Sequence, residues 1–139
     1  MFVMKRGFEG CLELWPVANW DEHSQQIMAG LDQFDPEDRE FRRGYFSGIS
    51  ELETDSADRI LIPKFLMDAA KIADSVSIQG AGEKLEIFPA EKYAEKYAAP
   101  GDDFHEKASR VMRRATARTA KPKFTLKVEE STAAEDEKP

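Results

Sequence analysis

The sequence predicts a mixed α+β fold. Short segments that alternate apolar and polar residues, as half-buried strands do, are separated by amphipathic patterns with helical spacing. A unit of strand, glycine-containing turn, strand and proline also occurs twice, and its second strand and proline align as residues 11–16 and 84–89 at an offset of 73 residues. Further residues align at the same offset: Val3 with Val76, Gly7 with Gly80, and Trp20 with Tyr93. The prediction therefore rests on an internal duplication as well as on periodicity.

Length and composition suit a single domain, with 139 residues, 27 acidic and 20 basic side chains, and a mean hydropathy of −0.58. No run approaches the roughly 18–20 apolar residues that span a bilayer. No secretory leader is recognisable either, so we expect a cytoplasmic protein without a membrane partner. The single Cys11 excludes an internal disulfide and a zinc site built on cysteine pairs.

The first half of the chain is predicted to contain a strand pair followed by two helices. A helix over residues 17–31 follows the first copy of the repeat, and Trp15 and Trp20 are expected to staple it to the sheet. A second helix is predicted over residues 36–44. The aromatic side chains around it favour packing in the core or against another subunit; they are Phe34, Phe41, Tyr45 and Phe46. Three arginines form a solvated face, with contact to DNA or a neighbouring subunit as the alternative; they are Arg39, Arg42 and Arg43.

The second half continues with a longer version of the repeated unit. Its predicted elements are a strand at 49–53, a polar turn at 54–58, a β-branched strand at 59–62 ended by Pro63, and a helix at 64–71. A hairpin follows, with strands at 76–78 and 85–87 joined by a glycine-containing turn at 80–82. Pro89 then opens a short helix that carries Tyr93 and Tyr97 on one face.

Charge divides the chain into an acidic part and a basic-then-acidic end. Residues 99–139 carry nine basic and eight acidic side chains, so residues 1–98 hold a net charge of −8. Seven basic side chains and no acid lie in residues 110–127, which begin within an amphipathic helix that starts near Asp103. This basic stretch either holds DNA non-specifically or keeps the tail solvated. From residue 119 onwards large apolar groups are too few to offset the ordering entropy, so a disordered tail is expected; the alternative is a strand at 124–128 formed against a partner.

Asp55 and Arg59 are the candidate binding pair, at the polar turn between two predicted strands. An arginine guanidinium is a planar fork of donors that suits phosphate oxygens or a guanine edge, and a nearby aspartate can hold it in one orientation. The alternative is an ordinary surface turn, because Asp55 and Asp58 are turn formers and an exposed ion pair contributes less than about 1 kcal/mol. Lys64, after Pro63, is a second candidate for phosphate contact and is otherwise a solvated charge.

No set of residues predicts a catalytic or metal site. Asp102, Asp103 and His105 have weak ligand spacing, and Asp103 followed by Glu106 is more typical of a helix start. The sequence contains no glycine-rich phosphate loop and no recognisable Ser, His and Asp set. We therefore expect no cofactor, no metal, no small-molecule substrate and no enzymatic activity.

Several of these segments together carry a family resemblance. Residues 46–48, 55–63 and 85–88 resemble the second half of MraZ, the bacterial regulator of the division and cell wall gene cluster. Residues 6–12, with Trp15-Pro16 after them, resemble the end of its first half, so the resemblance covers about residues 3–97. It implies a fold of two swapped-hairpin units of the SpoVT/AbrB type. It also implies assembly into rings that bind repeated DNA elements upstream of the regulator's own gene cluster.

Carried over residue by residue, the resemblance implies that Asp55 and Arg59 are a D-x-x-x-R motif linked to the DNA-binding face. The family's first motif has no counterpart, because subtracting the offset of 73 from Arg59 gives −14. Either the start is assigned too far downstream or the chain is a fragment. The expected divisions are an incomplete first repeat at 1–31, a connecting helix at 32–47, a complete second repeat at 48–98, and a basic helix with a disordered tail at 99–139.

The function expected from this resemblance is a sequence-specific DNA-binding transcriptional regulator, a ring-like homo-oligomer associated with the nucleoid. A net charge of −7 opposes simple DNA binding, so DNA can bind only where the few cations are gathered on one face. A ring gathers them in this way, because each subunit presents the same arginine. The first alternative is an oligomeric scaffold or interaction protein that has lost DNA binding. A metal-dependent hydrolase that uses the acid-rich surface is the second.

Overall fold

The structure, a computed structural model, describes residues 1–97 and 101–120. Within these ranges the chain is α+β, as predicted. The strands are β1 (Phe2–Arg6), β2 (Leu12–Pro16), β3 (Ser50–Leu52), β4 (Val76–Gly80) and β5 (Leu85–Pro89). The helices are α1 (Val17–Gly30), α2 (Pro36–Tyr45), α3 (Lys64–Ala70), α4 (Ala90–Tyr97) and α5 (Phe104–Ala120). None of these helices is long and apolar enough to cross a membrane.

The strands form one antiparallel sheet in the order β3-β1-β2-β5-β4. The two copies of the predicted repeat are the β1–β2 hairpin followed by α1 and the β4–β5 hairpin followed by α4. They meet where β2 pairs with β5, in the register Leu12 with Ile87, Glu13 with Glu86 and Leu14 with Leu85. Adding 73 to each β2 residue and subtracting 73 from its β5 partner gives the same set of pairs. The two hairpins are therefore related by an approximate twofold axis that passes between Glu13 and Glu86.

The sheet carries an apolar core on each face, because successive side chains of a strand point to opposite sides. On one face Met4, Leu12 and Leu14 pack with Leu66 of α3. The other face carries Val3, Trp15 and Trp20, on which residues 45 and 46 at the end of α2 also pack. The edge-to-face contact of Trp15 with Trp20 confirms that these residues fasten α1 to the sheet.

A buried ionic cluster lies on the Trp15 face of the sheet. Glu13 is almost fully buried and accepts hydrogen bonds from Lys84 Nζ at 3.1 Å and from Trp15 Nε1 at 3.0 Å. Lys5 Nζ lies 3.9 Å from the same carboxylate and 4.1 Å from the ring centre of Tyr45. Burial lowers the pKa of Lys5, although the Glu13 charge opposes that effect. The cluster joins the two repeats, since Lys84 comes from the β4–β5 turn.

Two predicted secondary-structure assignments are wrong. Residues 59–62 alternate in burial as an extended chain does but form no ladder with any described strand, because β-branched residues favour an extended chain without specifying its hydrogen-bonding partner. Thr119 and Ala120, expected at the start of a disordered tail, end α5 instead. The remainder of the expected tail and the alternative strand at 124–128 lie outside the described residues.

The aromatic residues near α2 divide between core and surface. Tyr45 and Phe46 pack against Trp20, with ring centres 6.4 and 5.9 Å away, as predicted for core residues. Phe34 is 80% exposed, so it does not pack in the core of this chain, and its packing against another subunit stays a prediction. Phe34 lies in the loop before α2, where it lines an open pocket together with Met28 and Leu31.

Candidate nucleic-acid interface

The predicted Asp55–Arg59 pair forms a closed turn directly after β3. The backbone N–H of Asp55 donates to the carbonyl of Arg59 at 2.9 Å, and the N–H of Asp58 donates to the carbonyl of Asp55 at 3.0 Å. Asp58 has a φ of 59°, in the left-handed region that aspartate tolerates better than most residues. The chain therefore reverses direction within five residues and brings positions 55 and 59 side by side.

The Asp55 carboxylate holds this turn together. One oxygen, Oδ1, accepts from the backbone N–H of Ala57 at 2.8 Å and from that of Arg59 at 2.9 Å. The other oxygen, Oδ2, accepts from Arg59 Nε at 2.9 Å. The backbone N–H groups of Arg59 and Ala57 hold the pKa of Asp55 below its ordinary value, with a smaller contribution from the Arg59 side chain. The carboxylate is thus ionised at neutral pH, and its three hydrogen bonds all lie within the turn.

Arg59 presents the rest of its guanidinium to solvent. Its side chain is 78% exposed, and only Nε is engaged by Asp55. No described residue accepts a hydrogen bond from either of its terminal nitrogens. An ion pair this exposed adds little to stability, so its main effect is to fix the direction of the guanidinium. The terminal N–H groups are left in the fork geometry that binds a phosphate or a guanine edge.

The extended segment after the turn explains why Arg59 points outward. Ile60 and Ile62 pack against the core cluster that contains Leu66, whereas Leu61 between them is 87% exposed. Side chains of an extended chain alternate in direction, so Arg59 lies on the same outer side as Leu61. The first turn of α3 follows at once, and this anchors the segment at its far end.

Lys64, the third predicted site residue, lies at the start of α3 and is not joined to the Asp55–Arg59 pair by any described contact. Its Nζ lies 3.3 Å from Oδ1 of Asp68, one helical turn further on. Both side chains are exposed, so the pair is weak and Lys64 remains accessible to an anion. Asp68 was not among the residues predicted for the site, although an acid four residues after a lysine on a helix is a recognisable signal.

The other expected candidates form no compact site in the described ranges. Arg43 lies 3.8 Å from Glu40, and Arg39 donates to the carbonyl of Gln33, which agrees with a solvated face on α2. Asp103 and His105 lie at or beside the first turn of α5. No group of three or more His, Cys, Asp or Glu side chains in residues 1–97 and 101–120 is arranged to hold a metal ion.

The chain is similar in sequence to a family of bacterial proteins and to several of its named members. A family model described as "MraZ protein, putative antitoxin-like" matches residues 45–115, which include the turn. The transcriptional regulator MraZ of Cytophaga hutchinsonii is 36% identical over 112 residues, which cover 70% of this chain and 74% of the relative. That of Dictyoglomus thermophilum is 40% identical over 97 residues, covering 68% and 64%. That of Christiangramia forsetii is 35% identical over 112 residues, covering 80% and 72%. The chain thus spans about two thirds to three quarters of the length of these relatives.

Proposed function

The chain belongs to the MraZ family, and we propose that it acts as a sequence-specific DNA-binding transcriptional regulator and as a homo-oligomer. The printed name of its relatives, transcriptional regulator MraZ, supports the regulatory role. In the finer form of the proposal, ring-like assemblies bind repeated elements upstream of the division and cell wall gene cluster, in the cytoplasm and associated with the nucleoid. No enzymatic activity and no cofactor belong to this function.

The proposed architecture follows the expected divisions of the chain. Residues 1–31 and 48–98 are two SpoVT/AbrB-like repeats of the swapped-hairpin type, the first of them incomplete, and residues 32–47 connect them. Residues 99–139 form a basic helix and tail. The symmetric pairing of β2 with β5 supports two related units that share one sheet.

The geometry of Arg59 is the observation that carries the proposal. Asp55 fixes one edge of the guanidinium, and the free edge points outward from a short turn. Two parallel N–H donors fit O6 and N7 of guanine in the major groove, or two oxygens of a phosphate. A good bidentate contact to a base discriminates by about 1–3 kcal/mol against the wrong base. We therefore assign base or phosphate contact to Arg59, the orientation of its side chain to Asp55, and an auxiliary phosphate contact to Lys64.

Replacement of Arg59 tests this assignment. Duplexes enriched from random-sequence DNA by the full chain serve as the probe, and binding is measured by fluorescence anisotropy. Arg59→Ala is expected to weaken binding by about 5- to 150-fold, the equivalent of one bidentate contact, without changing the oligomer mass. Arg43→Ala, which removes an exposed arginine from α2, is the matched control and is expected to change affinity less than twofold. Equal affinities of the Arg59→Ala and unmodified proteins would remove the assigned role.

The exposed Leu61 beside Arg59 favours a second candidate, an oligomeric scaffold or interaction protein. An apolar side chain that is 87% exposed next to a fixed cation suits contact with protein as well as with DNA. The same selection experiment separates the two functions. A scaffold forms oligomers but enriches no DNA sequence over many rounds.

A further inference from the structure

We propose that α5 carries a second DNA-contact surface, a stripe of four cations that binds phosphates without reading sequence. The stripe consists of Lys107, Arg110, Arg114 and Arg118. This inference rests on the proposed DNA-binding function and adds to it a surface in a different part of the chain, since α5 and the Asp55–Arg59 turn belong to different structural units. The surface is named the α5 stripe below.

Helical spacing places the four cations on one face. They follow each other at intervals of three, four and four residues, which at 3.6 residues per turn keeps them within an arc of about 80°. The stripe is about 16 Å long at 1.5 Å per residue. All four side chains are exposed. A duplex strand has one phosphate per 3.4 Å along its axis, so about four or five phosphates fit alongside the stripe.

The helix itself does not account for this arrangement. Cations in the last turn of a helix are stabilised by its dipole. This effect explains Arg118 alone, because the other three cations of the stripe lie before the last turn of α5. Glu106 is the one acid within α5, and no carboxylate in the described ranges lies within 4.0 Å of a cation of the stripe. Four charges on one face, without a carboxylate partner in the described ranges, form a local positive potential.

Charge complementarity identifies DNA as the occupant. Residues 1–98 carry a net charge of −8, which repels phosphates that approach Arg59, whereas Phe104–Ala120 carries +4. A cationic helix that contacts the backbone offsets this repulsion without changing which bases are read. An anionic membrane surface is less suited, since Phe104, Val111 and Met112 are the only large apolar side chains of α5.

Salt dependence tests the proposal. In the full chain, Arg110→Gln with Arg114→Gln removes two neighbouring cations of the α5 stripe. The control, Lys92→Gln with Lys96→Gln, removes two exposed cations at the same spacing on α4. Binding is measured by anisotropy from 50 to 200 mM salt, on a selected duplex and on a scrambled duplex of equal length. Circular dichroism checks that both variants keep the helical content of the unmodified chain.

The expected result is a slope of log affinity against log salt that is smaller by about two, because each phosphate contact contributes about 0.9. Affinity for both duplexes falls by the same factor, so the ratio between them is unchanged, and the control variant behaves as the unmodified chain. An unchanged slope overturns the proposal. It is also overturned if the two substitutions weaken binding to phosphatidylserine vesicles but leave DNA affinity unchanged. Arg59→Ala distinguishes failure of this proposal from failure of the proposed sequence reading. If Arg59 reads bases, this variant lowers the ratio of the affinities for the selected and scrambled duplexes, and the effect of the α5 substitutions on the salt slope is unchanged.

Discussion

Asp55 shows how one side chain defines a binding geometry at the scale of single residues. Its two oxygens take three hydrogen bonds, two from backbone N–H groups of the turn and one from Arg59 Nε. Asparagine at this position can reproduce the backbone bonds but cannot attract a cation. Lysine in place of Arg59 keeps the charge and loses the planar fork. The DNA-facing chemistry therefore depends on the identity of both residues and not on their charges alone.

Gly7, in the turn between β1 and β2, also depends on the identity of its residue, and Gly80 at the equivalent position of the second repeat provides the control. A Cβ at Gly7 would lie 2.8 Å from Cys11 Sγ and 2.9 Å from Glu13 Cγ, whereas a Cβ at Gly80 meets no atom within 4 Å. Gly7→Ala is expected to destabilise the protein by about 1–3 kcal/mol, as overpacking does. Gly80→Ala is expected to stay within about 1 kcal/mol of the unmodified protein. Urea denaturation measures both, and equal midpoints would contradict the prediction.

Much of the residue scale was predictable from the sequence, and its limits have physical causes. The turn formers and the spacing of Asp55 and Arg59 predicted a turn with two adjacent charges, because these effects are local. The burial of Glu13 was not predictable, since its partner Lys84 lies 71 residues away and reaches it only through the pairing of β2 with β5. Long-range partners of this kind leave no local signal.

At the scale of elements, α2 is fastened to the sheet through His23 on α1. The Nε2 atom of His23 forms a 2.7 Å hydrogen bond with the hydroxyl of Tyr45, at the end of α2. The imidazole ring also lies 4.4 Å from the ring centre of Trp15. Partial burial lowers the pKa of His23, and the nearby Lys84 charge acts in the same direction. The neutral imidazole is therefore the form that suits the contact between these elements.

This contact predicts a loss of stability on acidification. The pKa of His23 in the folded protein lies below its unfolded value of about 6.5. The neutral side chain therefore makes its full contribution to the free energy of unfolding above that pH. It is lost as the pH falls through the folded pKa. We expect the free energy of unfolding to decline modestly between pH 7 and pH 5, since the ring is partly exposed. His23→Gln should be less stable at neutral pH but show a shallower decline, measured by urea denaturation across this range; parallel curves would argue against the assignment.

Residues 59–62 show a limit of predicting strands from the sequence, because the predicted strand is not part of the described sheet. The sequence predicted a β-branched strand here, and in the structure Ile60 and Ile62 pack against the core whereas Leu61 is exposed. No ladder forms, because a strand requires a second strand, and none in the described residues lies alongside this segment. A run of β-branched residues thus favours an extended chain without specifying the strand that it pairs with.

At the scale of the whole molecule, duplication explains the sheet. The sequence repeat predicted two similar hairpins but not that they would meet through their second strands. That pairing buries Leu12 and Ile87 together and sets the approximate twofold axis of the sheet. A unit that pairs with its own copy provides a simple route to assembly of further copies. The proposed homo-oligomer is consistent with a chain whose two halves already associate in this way.

An assembly of this kind leads to a prediction about the length of the DNA. Each chain offers one Arg59, and repulsion from residues 1–98 makes a single contact weak. When one arm of an oligomer binds, the other arms experience a high effective concentration of neighbouring sites, so overall affinity rises by roughly 10²–10⁴-fold when several repeats are present. Duplexes with one, two and four copies of a selected element, compared by anisotropy at two salt concentrations, measure this effect. The increase should disappear when the spacing between copies is randomised, because misplaced sites cannot be engaged together. If one copy binds as tightly as four, each subunit binds DNA independently and the charge barrier must be overcome within a single chain.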